Sequence, residues 1–414
     1  MTRVGTLTPW IIVGAVLAAG CAAEPELPSA DTAADNDAIV ESGAASADQM
    51  PIFEYDPTWP KMPLPDEWVL GNVVGVDVDA QDHIWINHRP RTILHNFEDG
   101  LEHDPPTAEC CRMAPPVIEF DFDGNVVQAW GGPGTGYTWP ENSVEDMHNP
   151  PLGAITQGWN GEHTVYVDHD DNVWIGNSGA TNDAHILKFS RNGEFLLMIG
   201  RLGKGEGSND TTALGKPTGI VVDPDTNEVF VADGYANRRV IVFDAETGEY
   251  KRHWGAYGNP PDDSVRERYV PGGPPPSQFR TPHGLNMSHD GLVYLADRGN
   301  CRIQVFERDG TFIEEVFVAP NTPQGSAFDV AFSSDEEQKF LYMLDGRSNK
   351  VRILRRSDLT HIGDFGYGGR FAGGLTTPHN LAVDSHGNLY VTESGEGKRV
   401  QRFLYTGLGP ATLP

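Results

Sequence analysis

The sequence predicts an all-β chain folded as a six-bladed β-propeller, and three observations predict it. Short apolar runs recur in sets of four, separated by acidic or glycine turns such as DG, NG, TG and HG. No stretch carries a long helical period. One position of the repeat holds histidine in alternate units only: His163 in EHTVYVD, His283 in TPHGLNM and His379 in TPHNLAV. The intervening units VVGVDVD, PTGIVVD and AFDVAFS place Val74, Thr218 and Phe328 there. In a closed ring of six, alternate units stand about a third of a circle apart, so the three imidazoles converge on the axis. An open solenoid, the competing architecture, needs polar terminal caps that the sequence does not offer.

The elements follow in order. Residues 1–21 precede the fold. Arg3, the apolar stretch WIIVGAVLAAG and then Cys21 read as a bacterial lipoprotein signal, with Cys21 the lipidated residue; the stretch is too short to span a bilayer. Residues 22–50 hold Ala, Asp, Glu and Ser with no Lys or Arg, and read as a disordered acidic tether. Residues 51–414 form the propeller, with units beginning near Val73, His163, Pro217, Pro282, Ala327 and Pro378. The fourth unit shows the pattern: HGLNMS, HDG, LVYLAD, RGNC, RIQVFE, RDG, TFIEEVF. Within it Val293 and Leu295, then Ile303 and Val305, alternate as pleated strands require. The last unit ends at VQRFLY, short of an outer strand. PIFEYD near residue 51 supplies that strand and closes the ring.

Strand direction locates a working face. With strands a to d numbered from the axis outward, the face where a begins also carries the b–c loops and the d-to-a connections. The long segments 90–114, 131–162, 200–216 and 255–281 all fall there, while the opposite face has short turns. The three histidines begin their strands on the long-loop face. Arg89 ends strand b of the first unit, and Tyr235 follows strand b of the third in FVADGYANRR, so both share it. Three neutral imidazoles with an open fourth position suit a catalytic Zn²⁺. A buried tyrosine beside a cation can act as a base near neutral pH.

The formal charge of −29 argues against nucleic acid and anionic membrane as partners. Contact with a membrane is expected only through a lipid anchor at Cys21, and the chain is expected to be an exported cell-envelope lipoprotein and a monomer. Beyond Cys21 the cysteines are Cys110, Cys111 and Cys301, an odd number in an oxidising compartment. A vicinal disulfide, a pairing with Cys301 and a free thiol all remain open. His88, His95, His103, His148, His169, His185 and His253 have no comparable register and read as surface or hydrogen-bonding residues, with His185 nearest the pocket.

At these residues the chain resembles the peptidyl-α-hydroxyglycine α-amidating lyases, the NHL-repeat propellers that form the lyase half of the peptide-amidating enzymes. The strings FVADGYANRRVIVFD and FRTPHGL…LADRGNCRIQVF carry the resemblance, which spans roughly residues 55–405. It implies that His163, His283 and His379 are zinc ligands, that Tyr235 is the catalytic base and that Arg89 stands beside it. It also implies a structural Ca²⁺ in the channel, held by the carbonyls of Val76 and Val165 and by Asn380. Asn380 stands where the family has Asp, so calcium is expected to bind more weakly. Thr377 stands where the family has Met and is expected to reshape the substrate pocket. The implied reaction splits an N-acyl α-hydroxyglycine, small or peptidyl, into an amide and glyoxylate. Two other functions compete. One is a non-catalytic propeller that binds a protein, peptide or glycan. The other is a lactonase-like hydrolase, which calls for carboxylates and Asn on the axis rather than three histidines.

Overall fold

The computed structural model describes residues 49–92, 109–140, 161–178, 185–203 and 205–413. Six inner strands, Asn72–Val78, Glu162–Val167, Pro217–Asp223, Pro282–Met287, Ala327–Phe332 and Pro378–Val383, pack side by side, and the last returns to the first. Each opens an antiparallel four-stranded sheet, a blade with strands a to d running outward. The fold is therefore the six-bladed propeller that the repeat predicts, and every blade starts within one residue of its expected position. The lipoprotein signal, Cys21 and the tether up to residue 48 lie outside the described residues, as do His95, His103 and His148. Among the described residues, helix is limited to 3-10 turns of three residues.

The alternation read in the fourth unit does not separate a wet face from a dry one. Its strands b, Val293–Asp297, and c, Arg302–Phe306, are buried along their whole length, and the exposed residues lie on strand d, Phe312–Phe317. A blade is flanked by neighbours, so both faces pack. Val221, Phe230 and Val242 of blade 3 meet Leu285, Val293, Leu295 and Phe306 of blade 4 in one cluster. Ile84, Ile86 and Ile118 of blade 1 meet Ala382 and Tyr390 of blade 6 in another. Each fully buried Phe or Leu contributes on the order of 2–3 kcal/mol.

Buried ion pairs fix the b–c loops. Asp233 ends strand b of blade 3 and accepts Arg239 Nε at 2.9 Å, Asn237 Nδ2 at 2.8 Å and the backbone N–H of Gly215 at 2.6 Å. Asp297 does the same in blade 4 for Arg302, Asn300 and the N–H of Arg280. Asp345 pairs with Arg352 in blade 5, and Glu393 with Arg399 in blade 6. A desolvated charge is tolerable only when paired and fully hydrogen-bonded. Each acid therefore sets its b–c loop, and in blades 3 and 4 it also ties that loop to the connection that leads into strand a.

Side-chain hydrogen bonds stitch blade to blade around the axis. Asn87 Nδ2 donates to Thr164 O at 3.1 Å, Thr218 Oγ1 to Pro282 O at 2.9 Å, and Asn380 Nδ2 to Asp329 Oδ2 at 2.9 Å. These cross the seams between blades 1 and 2, 3 and 4, and 5 and 6. The other three seams are crossed by the histidines.

The N-terminal strand closes the ring. Gln49–Tyr55 runs antiparallel to Arg399–Pro410 as the outer strand of blade 6, starting two residues ahead of the expected boundary at 51. Arg402 grips Asp56 through Nε and Nη2 at 2.8 and 2.6 Å and donates Nη1 to Phe122 O of blade 1. Cys110 and Cys111 form the vicinal disulfide, which resolves the alternatives left by the sequence, and Cys301 is a buried free thiol.

Candidate metal centre

The three histidines meet. Their ring centroids lie 4.7 to 5.0 Å apart, each ring is buried, and their three ligand nitrogens lie within 4.8 Å of one another. The repeat explains how. Each histidine turns Nδ1 toward the carbonyl of the matching residue in the next blade: His163 to Thr218 O at 3.0 Å, His283 to Phe328 O at 2.7 Å, His379 to Val74 O at 2.8 Å. A nitrogen facing a carbonyl must carry the proton, so each Nε2 keeps a lone pair. This is the outer-shell arrangement that holds metal-ligating imidazoles in orientation.

Electrostatics keep the rings neutral. Burial, then the neighbouring imidazoles and the Arg89 guanidinium, hold His163 well below the ordinary histidine range. Burial, then His379 and Arg298, does so for His283, and burial, then Arg89, lowers His379 to about 3. Three convergent lone pairs form a receptor for a soft or borderline cation. The residues fit zinc.

Tyr235 and Arg89 join them. The Tyr235 hydroxyl stands 3.1 Å from both His163 Nε2 and His283 Nε2. Its ring is 37% exposed rather than buried, so the hydroxyl reaches inward from the surface of the b–c loop. Arg89, buried at the end of strand b (Ile84–Arg89), donates Nε to Glu162 O at 2.6 Å. Burial lowers its pKa to about 10, with Tyr235 and Glu162 opposing, so it stays a cation at neutral pH. Two arginines were missed in the sequence. Arg298 Nη1 donates to the Tyr235 hydroxyl at 3.3 Å, and its guanidinium lies 4.2 Å from the Phe328 ring centre. Arg347 lies 6.0 Å from the same ring. Both follow the acid that ends strand b, as Tyr235 follows Asp233, and that shared register was the available signal.

The residues expected to hold calcium stand on the inner strands of blades 1, 2 and 6. Val76 and Val165 are buried on neighbouring inner strands. Asn380, however, is committed at both ends: its Oδ1 lies 2.6 Å from His379 Nδ1 and its Nδ2 donates to Asp329. Its amide thus bonds blade 6 to blade 5. Thr377 is half-buried before Pro378 with φ of 53°, a conformation that β-branched residues rarely adopt. Its N–H donates to Asn349 Oδ1 at 3.0 Å, and its side chain borders Gly395 of the b–c loop.

The remaining histidines lie apart. His88 is buried between Gly71 N–H and Pro115 O, His185 is buried with Nε2 on Thr138 O, His169 is exposed, and His253 bonds Tyr250 and Asn209. A second group, Asp79, His83 and Glu119, surrounds the Arg191 guanidinium, which already neutralises its carboxylates.

Comparison with known proteins agrees with this architecture. The NHL repeat family matches residues 279–306, and a β-propeller repeat matches residues 362–392. The chain is 33% identical over 370 residues to peptidyl-glycine alpha-amidating monooxygenase A of Xenopus laevis, an alignment covering 84% of this chain and 33% of that protein. It thus spans about a third of that relative's length. It is 27% identical over 407 residues to peptidyl-alpha-hydroxyglycine alpha-amidating lyase 2 of Drosophila melanogaster, covering 92% of this chain and 84% of that one. NHL repeat-containing protein 3 of Homo sapiens is 24% identical over 359 residues, covering 85% and 84%. With an NHL repeat in blade 4 and relatives of these names, the chain is an NHL-repeat propeller similar in sequence to the peptidyl-α-hydroxyglycine α-amidating lyases.

Proposed function

We propose that the protein is a zinc-dependent carbon–nitrogen lyase that splits an N-acyl α-hydroxyglycine into an amide and glyoxylate. One observation carries this reading: three neutral imidazoles, a tyrosine hydroxyl and two arginines converge on the face of the ring where strand a begins. Zinc held by Nε2 of His163, His283 and His379 would supply Lewis-acid polarisation of the substrate hydroxyl oxygen.

The chain's own groups account for the proton. The substrate is a carbinolamide, so loss of its hydroxyl proton drives the C–N electron pair onto nitrogen and leaves a carbonyl. Tyr235 oxygen takes that proton and returns it to the departing amide nitrogen, so no net proton is consumed. Arg298 donates to the Tyr235 hydroxyl and orients its oxygen. Arg89, buried and cationic, stabilises the negative charge that develops as the substrate hydroxyl loses its proton.

The test is glyoxylate release from α-hydroxyhippurate by zinc-loaded protein of known metal content. Tyr235→Phe is expected to keep the metal and lose activity by about 10²–10⁴-fold, the usual contribution of a general base. A metal-free protein after careful zinc loading, or full activity in the variant, would refute the reading. A binding propeller without chemistry is the second reading, and Asn380, its amide engaged by His379 and Asp329, is the observation that favours it. Export as a lipoprotein anchored at Cys21 is part of the proposal and rests on the LAAGC string alone.

A further inference from the structure

We propose that Asp329 of blade 5 is a positioning residue for the metal centre. Through Asn380 it holds the His379 imidazole as a ligand, so that the single dipeptide Phe328–Asp329 orients two of the three histidines. The inference rests on the proposed zinc centre and not on the substrate or the reaction.

The three histidines are not held alike. His163 and His283 each face one backbone carbonyl through Nδ1, whereas His379 Nδ1 faces two oxygens, Val74 O at 2.8 Å and Asn380 Oδ1 at 2.6 Å. An amide can present either end, and at Asn380 the choice is made by Asp329. Asn380 Nδ2 donates to Asp329 Oδ2 at 2.9 Å, and the same oxygen accepts the N–H of Leu381 at 3.1 Å. A flipped amide would set oxygen against oxygen at Asp329 and N–H against N–H at His379. The carboxylate thus fixes the amide, the amide oxygen fixes the proton on Nδ1, and the Nε2 lone pair is left for the metal.

Blade 5 contributes no ligand, because Phe328 stands where its neighbours carry histidine. It contributes supports instead. Phe328 O faces His283 Nδ1 at 2.7 Å, and Asp329 serves His379 through Asn380. The sequence makes room for this arrangement. A Cβ on Gly284, the residue after His283, would stand 2.3 Å from Asp329 Oδ1 and 2.4 Å from its Cα. Any side chain there would push Asp329 away, so glycine lets it lie against blade 4 while it reaches blade 6. The electrostatics favour the same role. Three neutral imidazoles bring no negative charge to a dication. The buried acids of the b–c loops, Asp233, Asp297, Asp345 and Glu393, are each paired with an arginine. Among the described residues Asp329 meets only N–H groups, those of Val330, Leu381 and Asn380. A carboxylate that no arginine neutralises, one amide away from a ligand, strengthens that ligand's hold on a cation.

The test is the zinc dissociation constant of the full chain, measured by chelator competition. Asp329→Ala is expected to weaken zinc binding by about 10–100-fold, the usual effect of removing an outer-shell partner. Asp329→Asn, which keeps an acceptor oxygen for Asn380, should retain part of the affinity. Asp77→Ala is the control. Asp77 Oδ2 accepts the N–H of Val167 at 2.7 Å across the seam between blades 1 and 2, and among the described residues it bonds no histidine. That variant also loses a buried bond but should bind zinc like the wild type. In cobalt-loaded protein the visible absorption bands follow the ligand set rather than the stability of the scaffold. They should shift in Asp329→Ala and stay in place in Asp77→Ala. Wild-type affinity in Asp329→Ala, or an equal loss in Asp77→Ala, refutes the positioning role and leaves the zinc centre standing. Should the alanine variant fail to fold, Asp329→Asn decides, and unchanged affinity there refutes the role. A wild type that takes up no zinc removes the centre and this role together.

Discussion

Replacing His283 with alanine separates the metal centre from the scaffold that carries it. Two losses are expected. In the metal-free protein the Phe328 carbonyl, 2.7 Å from His283 Nδ1, loses its partner inside the ring. An orphaned buried acceptor costs about 1–3 kcal/mol, to which the missing ring adds a cavity. In the metal-bound protein one of three ligands disappears. Four-ligand structural zinc sites gain roughly 10–16 kcal/mol, so one ligand is worth about 3 kcal/mol, or about a hundredfold in Kd. Denaturant unfolding with and without zinc reads the two apart. At free zinc 100 times the wild-type Kd, the wild type gains about 2.7 kcal/mol, whereas a variant weakened a hundredfold gains about 0.4 kcal/mol. The scaffold loss appears in chelator, and the ligand loss appears only as this missing increment. An equal zinc increment in His283→Ala and wild type would refute the centre, and so would the absence of any increment in the wild type.

Acidification should destabilise the metal-free protein between about pH 6.5 and 4.5. His379 is held at about 3, His88 at about 4, and His163 and His283 well below their ordinary value, so these four stay neutral when folded and gain protons when unfolded. Their stabilisation is present above the unfolded value and is lost as pH falls. Asp77 and Asp329, raised to about 7 by burial, act oppositely: they favour the fold at low pH and lose that contribution as pH rises toward 7. Asp233 and Glu393, also raised by burial, act with these two acids; each titrating group changes the slope by about 1.4 kcal/mol per pH unit, and melting temperatures across this range check the sign. Asn380→Asp is expected to lower the melting temperature in chelator by putting a second carboxylate against Asp329, a change of about 1–3 kcal/mol, and to make it rise with added calcium. Arg402→Ala should cost about 3 kcal/mol in urea unfolding, because Asp56 is left buried at the closure without its cation.

The ring and the histidine set were legible because the repeat writes them several times over. A one-residue slip in a β-strand turns every side chain to the opposite face, so matching positions across six units fix the register strongly. Tyr235 and Arg89 were legible through strand direction. Arg298 and Arg347 were not, although they stand in the matching b–c loops of blades 4 and 5: Arg298 follows its acid by one residue, whereas Tyr235 and Arg347 follow theirs by two. The double engagement of Asn380 depends on Asp329 of the neighbouring blade, and no reading of a single repeat pairs side chains across a seam. The exposure of the Tyr235 ring was missed for a related reason: register gives a face, not a depth.

Each of the three histidines is anchored in one blade and bonded through Nδ1 to the next. The seams between are crossed by Asn87, Thr218 and Asn380, so every blade is bonded to both neighbours beside the axis. Displacing one imidazole would therefore disturb two blades at once, its own and the one its Nδ1 holds, and an ion shared by the three rings would couple all six.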